Sequence, residues 1–214
     1  MARVTLKPDP ARPTSPHGGP STSPANGTAD PAGHSASSPA ERGLADAVVE
    51  IERHVATGGW DGPVRLFALV RTQAALDVEP ALAGQLPADV LAAAAASPDH
   101  LTSIEQEGLP PSDDLEGLLG AIAWPDGVAG AALTVERIVL PPEAEEGLPE
   151  DADAALAALL AHPQRQDVRI AVGVLRDGPT WCAVRQRSTD RDDAVGQGPE
   201  VVPGLVDGLR ATFV

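Results

Sequence analysis

The chain has 214 residues and a formal net charge of -16, from 15 basic and 31 acidic residues. So acidic a body repels phosphate backbones, which argues against nucleic acid as a partner. The single cysteine, Cys182, excludes an intrachain disulfide framework and a multi-cysteine zinc site. The N-terminal charges precede no apolar run and no stretch reaches membrane-spanning length, so we expect a cytoplasmic protein without membrane insertion.

Residues 1–40 form the first compositional segment. After Leu6 this segment contains no large apolar residue and is dominated by Pro, Ser, Gly, Thr and Ala. Such a stretch cannot bury enough surface to offset its ordering entropy. We therefore predict a disordered tail over 1–40, followed by one globular domain over 41–214, since roughly 170 residues is an ordinary domain size.

The domain is predicted to begin with a helix and a strand. From Glu41 onward, large apolar residues recur every three to four positions and form one stripe on a helix, which Gly58-Gly59 ends. Residues 64–70 then suit a strand that is polar only at its ends. Further helices are predicted over 73–96, with breaks at Pro80 and Pro87, and over 112–122, 151–161 and 202–213; further strands are predicted over 101–107 and 128–140.

The clearest local signal is a hairpin between residues 167 and 188, where two apolar runs flank Arg176-Asp177-Gly178-Pro179. If Leu175 pairs with Thr180, Trp181 and Ala183 share a face with Val172, and Cys182 lies on the other. Both faces of this hairpin are apolar, so both should be covered. The predicted fold is α+β, with a central, mainly antiparallel sheet and helices on both faces in a three-layer sandwich.

Catalytic and ligand-binding motifs are scarce in this sequence. It has no G-x-S-x-G elbow and no phosphate-binding glycine loop, and the predicted domain has no lysine for Schiff-base chemistry. No two histidines share ligand spacing with a carboxylate on a predicted helix, so we expect no metal site, no cofactor and no catalytic residue. Cys182 sits in mid-strand and is interpreted as a core residue.

Charge is unevenly distributed along the domain. Between Asp77 and Asp153 there are 17 acidic residues and one basic residue, Arg137, whereas arginine predominates between Arg165 and Arg191. Four arginines would group on one sheet edge and attract a carboxylate-rich or phosphorylated partner. Alternatively, they pair internally with the acidic segment. Two tryptophans at element boundaries either cap the core or anchor an interface. The candidate partner-binding residues are therefore Arg165, Arg169, Arg185, Arg187, Trp60 and Trp124.

Several short blocks carry a resemblance to a known family. These are GWDGP at 59–63, IEQEGLP at 104–110, AWP at 123–125, RQDVR at 165–169, VGVLRDG at 172–178 and VVPGL at 201–205. From about residue 41 to 214 the chain resembles a family of uncharacterised actinobacterial cytoplasmic proteins. The resemblance implies a bacterial cytosolic setting and a compact α/β sandwich. It implies no activity, cofactor or catalytic residue.

Three functions are compatible with these observations. The leading hypothesis is a non-enzymatic protein-interaction module, because active-site chemistry is missing and the charge is asymmetric. The second is a small-ligand binding or sensing domain, with room left beside the small residues Gly130, Ala131, Ala132, Ala171 and Gly173. The third is an enzyme that uses carboxylates such as Glu105 and Glu107, provided that they converge in a cleft.

Overall fold

The computed structural model describes residues 37–109, 114–176, 178–199 and 202–213, with the backbone alone at Pro142 and Pro203. Residues Ser38–Val214 cluster as one compact unit. In chain order the elements are α1 (Pro39–Ala56), β1 (Arg65–Arg71), α2 (Thr72–Val78), a 3-10 helix (Pro80–Gly84), α3 (Ala88–Ala96), β2 (Leu101–Glu105), α4 (Leu115–Gly120), β3 (Gly130–Val139), α5 (Pro142–Glu145), α6 (Ala152–Ala161), β4 (Gln166–Leu175), β5 (Thr180–Gln186), a second 3-10 helix (Asp192–Ala194), β6 (Gly196–Gly198) and α7 (Pro203–Arg210).

The strands described here build one six-stranded sheet in the order β2-β1-β3-β4-β5-β6. Every neighbouring pair is antiparallel. The two central strands, β3 and β4, are ten residues long and pair from Gly130↔Leu175 to Val139↔Gln166. Burial runs through most of both strands, as expected of strands with covered faces.

Helices cover both faces of the sheet, which confirms the predicted α+β sandwich. On one face, the apolar stripe of α1 (Leu44, Val48, Ile51 and Val55) packs on Phe67, Leu69, Ala132, Ala171 and Ala183. On the other face, α4 and α7 contribute Leu119, Val206 and Leu209 to a cluster with Leu133, Ile170, Val172 and Cys182. The α1 helix lies so close to the sheet that a Cβ on Gly173 would be 2.5 Å from Val48 Cγ2.

The first helix starts two residues earlier than Glu41. Ser38 accepts a hydrogen bond from the Glu41 amide, and Glu41 accepts one from the Ser38 amide, which together make a capping box. Pro39 occupies the first turn, where its missing N–H costs nothing. Of the predicted start of the 112–122 helix, Ser112 and Asp113 lie outside the described residues. Asp114 caps α4 through the Gly117 amide.

The hairpin forms, but its predicted register is wrong by one residue. Thr180 pairs with Val174, and the Leu175 amide donates to the Pro179 carbonyl. Pro179 lacks an N–H yet still accepts in the ladder, so the loop is one residue shorter than predicted. Because side chains alternate along a strand, this shift moves Trp181 and Ala183 to the α1 face and Cys182 to the other. Asp177 itself lies outside the described residues.

The α6 helix differs from the core helices because none of its side chains is buried. It consists almost wholly of Ala and Leu, and Leu156 and Leu160 are 51% and 47% exposed. Its start is capped by Asp151, which accepts from the Ala154 amide at 2.9 Å. None of the helices among the described residues is both long enough and apolar enough to cross a membrane.

Candidate functional site

Three of the predicted arginines meet at one end of the sheet. Arg169 on β4 and Arg185 on β5 are direct cross-strand partners, and Arg187 follows β5 with its amide bonded to the Asp167 carbonyl. These three residues are here called the arginine cluster. The end of α1 and the loop of residues 58–63 lie over it. Gly59 and Asp61 adopt positive φ angles of 81° and 65° in this loop, which positions Trp60 between them.

Arg185 is held in a buried ion pair with Glu52 of α1. Its Nε and Nη2 donate to the two Glu52 oxygens at 2.6 and 2.8 Å, and Nη2 also donates to Asp192 at 2.6 Å. Hydrogen bonding to Glu52 raises the pKa of Arg185, and hydrogen bonding to Arg185 lowers the pKa of Asp192. The Arg185 guanidinium is therefore matched across the helix–sheet interface by the two oxygens of Glu52.

Trp60 ties the other two arginines of the cluster to the loop. The guanidinium carbons of Arg169 and Arg187 lie 4.4 and 5.4 Å from its ring centroid, within cation–π range. The Trp60 indole N–H donates to Asp190 at 3.1 Å. Arg187 also binds both Asp61 oxygens at 2.7 Å, and this hydrogen bonding lowers the pKa of Asp61. Trp60 is thus held by two arginines and one carboxylate.

Arg169 is 1% exposed and uses only part of its donor capacity. Its Nη2 donates to Glu136 at 2.9 Å and to the Gly59 carbonyl, while the second Glu136 oxygen accepts from the Asp61 amide at 2.8 Å. Within the described part of the chain, Arg169 Nε and Nη1 have no hydrogen-bond partner. A buried donor without a hydrogen-bond partner lowers the free energy of unfolding by about 1–3 kcal/mol.

A small cleft of about 20 Å³ lies beside this guanidinium. Its walls include the loop glycines Gly58 and Gly59 and the side chains of Arg65, Thr134 and Arg169. The Thr134 hydroxyl is also buried without a hydrogen-bond partner among the described residues. The Arg169 guanidinium and the Thr134 hydroxyl, both in the lining of the cleft, can therefore each form a further hydrogen bond.

The other two candidate residues lie apart from the cluster. Arg165 donates to the Leu160 carbonyl at 2.5 Å and is 3.8 Å from Asp167 at the surface. Trp124 donates to the Thr212 hydroxyl at 2.8 Å and stacks on Phe213, and its carbonyl accepts from Arg176 at the far end of β4. Seven residues of strand, roughly 23 Å, separate Arg176 from Arg169. Trp124 caps the core at that end of the sheet. A partner-binding role for the six candidate residues remains a prediction.

The internal partners of the arginines differ from those that the sequence suggested. Among the described residues, the arginine cluster pairs with one carboxylate of the segment between Asp77 and Asp153, namely Glu136; its other partners are Glu52, Asp61, Asp190 and Asp192. Glu52 carried a signal that sequence reasoning missed. It lies four residues after Val48 and beside Ile51, on the buried stripe of α1. An acidic residue in an apolar stripe indicates a buried cationic partner.

The residues named for the two alternative hypotheses do not come together as a site, and both hypotheses remain untested. The small residues of β3 and β4 are sealed, since Ala131, Ala132 and Ala171 are fully buried and Gly173 is in contact with α1. Glu105 lies at the end of an edge strand, 3.6 Å from Arg65 at the surface, and Glu107 is exposed beyond it. In the part of the chain that the structure covers, no group of three or more potential ligands could hold a metal ion.

The fold and the cluster together define an α+β sandwich whose buried charges fasten a loop and a helix to the sheet. A family model described as "PPA1309-like protein" matches residues 44–214, and the chain belongs to this family. The match covers the part of the chain in which the sequence blocks were noted. No curated protein and no solved structure matches the chain.

Proposed function

We propose that the chain is a non-enzymatic protein-interaction module of the actinobacterial cytoplasm and that its partner binds α6. The observation that carries this proposal is the absence of any buried side chain along Ala152–Ala161, although the helix is almost entirely Ala and Leu. An apolar helix on the surface of one chain is typical of a face that a second molecule covers. Leu156 and Leu160 are four residues apart and form one ridge.

The ridge supplies a modest amount of binding energy. Each leucine is about half exposed, so complete burial would contribute about 1 kcal/mol per side chain. Such a contribution is too small for tight binding by itself, and complementary charge must add to it. Charge also determines which partner fits.

The surroundings of α6 are mainly acidic, although Arg165 just after the helix donates to the Leu160 carbonyl. From residue 138 to 164 the chain has six acidic residues and neither lysine nor arginine. Two copies of the chain would bring these like charges together, so self-association through α6 is disfavoured. A partner segment with basic residues around an apolar face is favoured instead. The acidic residues are Glu143, Glu145, Glu146, Glu150, Asp151 and Asp153.

The decisive test compares two variants of the full chain. In L156Q/L160Q the ridge becomes polar while helix propensity is nearly unchanged. The matched control is V78Q, because Val78 is the most exposed large apolar residue described and lies on α2. Each tagged chain is used for affinity purification from the native cell. Proteins that V78Q retains and L156Q/L160Q loses are then produced recombinantly, and their direct binding is measured.

A true partner should be basic at the contact and bind the wild type and V78Q equally. It should bind L156Q/L160Q at least tenfold more weakly, because both leucines then lose their buried contacts. Its affinity for the wild type should also fall as salt rises. The proposal is rejected if every direct partner binds L156Q/L160Q as tightly as V78Q. Sedimentation of the wild type at increasing concentration separately tests for a dimer.

A further inference from the structure

The cleft beside Arg169 has an excess of hydrogen-bond donors. Arg169 contributes Nε and Nη1, and Thr134 contributes a hydroxyl; none of these atoms has a hydrogen-bond partner among the described residues. The one acidic side chain in the lining, Glu136, already accepts from Arg169 and from the Asp61 amide through its two oxygens. Buried polar groups in folded proteins almost always have a partner, so these donors call for an acceptor that enters the cleft.

Charge and size restrict what that acceptor can be. Arg169 pairs with Glu136, and Arg65 in the lining is 3.6 Å from Glu105, so the site has little excess positive charge and an entering anion should carry no more than one negative charge. A phosphate carries about -1.5 to -2 and would be repelled by Glu136. The volume of about 20 Å³ admits one or two water-sized groups, at about 10–15 Å³ each. The two oxygens of a carboxylate satisfy both conditions.

We infer that this cleft is a binding site for a carboxylate group, held by Arg169 and Thr134 beneath the loop of residues 58–63. The group comes either from a free small carboxylate or from the end of a peptide chain. The site is distinct from the α6 surface, because it lies under the loop after α1 and uses buried donors. Binding here satisfies the guanidinium that Trp60 covers and ties the loop more firmly to the sheet.

The experiment follows the Arg169 Nε–H signal in the full chain labelled with ¹⁵N at arginine. Sodium formate tests a free carboxylate, and glycylglycine tests a chain end, with glycylglycine amide as its uncharged-end control. Sodium chloride and inorganic phosphate are titrated at matched ionic strength. We expect a saturable shift of the Arg169 signal with formate, with glycylglycine or with both, and no saturable shift with the amide or phosphate.

Thr134→Val is the sharpest variant. The hydroxyl has no partner among the described residues, so its replacement by a methyl group of similar shape should leave the fold intact. The affinity for the carboxylate should fall roughly fivefold, as expected for one lost hydrogen bond. Arg169→Lys should abolish the saturable binding. Arg176→Lys, at the far end of β4, is the matched arginine control and should bind as the wild type does.

Two results would overturn the inference. One is an Arg169 signal that none of the carboxylate probes shifts saturably, which would mean that water alone occupies the cleft. The other is a Thr134→Val chain with wild-type affinity. If Arg169→Lys fails to fold, Thr134→Val still decides the matter. The L156Q/L160Q variant should bind the same carboxylate probes as the wild type, so failure of the α6 proposal is distinguishable from failure here.

Discussion

Replacing Glu52 by Gln tests the structural role of the buried ion pair most directly. Glu52 and Arg185 are 2% and 3% exposed, so the variant leaves a guanidinium in the interior without its bidentate partner. Breaking such a pair from one side costs about 3–5 kcal/mol. Asp192 keeps its 2.6 Å contact with Arg185, which moves the expected loss to the lower limit, about 3 kcal/mol.

Urea unfolding followed by circular dichroism measures this loss. With a slope of about 1–3 kcal/mol/M, the midpoint should fall by about 1–3 M. The double variant E52L/R185M removes both charges and should lie within about 1 kcal/mol of the wild type. Arg165→Gln breaks a surface pair and should change stability by about 0.5 kcal/mol or less. A loss below about 1 kcal/mol for E52Q would refute this reasoning, as would a double variant no more stable than E52Q.

Three further predictions concern pH, packing and capping. Hydrogen bonding to Arg187 holds the pKa of Asp61 below its ordinary 3.8 in the folded chain. The pair therefore stabilises the fold above that pH, and this stabilisation is lost as pH falls through the lowered pKa. On acidification, the melting temperature of Asp61→Asn should fall less than that of the wild type. Gly173→Ala should cost about 1–3 kcal/mol because α1 is too close, whereas Gly204→Ala, open on α7, should stabilise by about 0.5–1 kcal/mol in urea unfolding. Ser38→Ala should cost about 1 kcal/mol in the same assay through loss of the α1 cap; no loss would mean that the cap is not formed in solution.

Features with a local cause were accessible from the sequence. The apolar stripe from Leu44 to Val55 predicts α1 because a helix repeats every 3.6 residues, and two apolar runs around Gly178 predict the hairpin. Because both faces of this hairpin are apolar, helices must cover both, which predicts the three-layer arrangement. The hairpin register was missed because it depends on whether Pro179 belongs to the loop or to the ladder, and the residue types alone allow both.

Features with a distant cause were not accessible. Glu52 and Arg185 are 133 positions apart, and Trp60 and Asp190 are 130 positions apart. No local pattern selects one carboxylate among many for a given arginine, because the choice depends on how α1 lies across the sheet. The cleft at Thr134 was missed for the same reason. A threonine in a strand is ordinary by sequence, and the cleft that it lines is formed together with loop residues far away in the chain.

The absence of buried side chains along α6 bears on how this family can change over time. Its ten residues contribute nothing to either core cluster, so substitutions there escape the packing constraints that restrict α1 or β4. Substitutions at the exposed positions of this helix should therefore leave the scaffold folded. Sequence changes should be tolerated at α6 more readily than at the arginine cluster, where a change at Arg169 or Arg185 disturbs a buried charge.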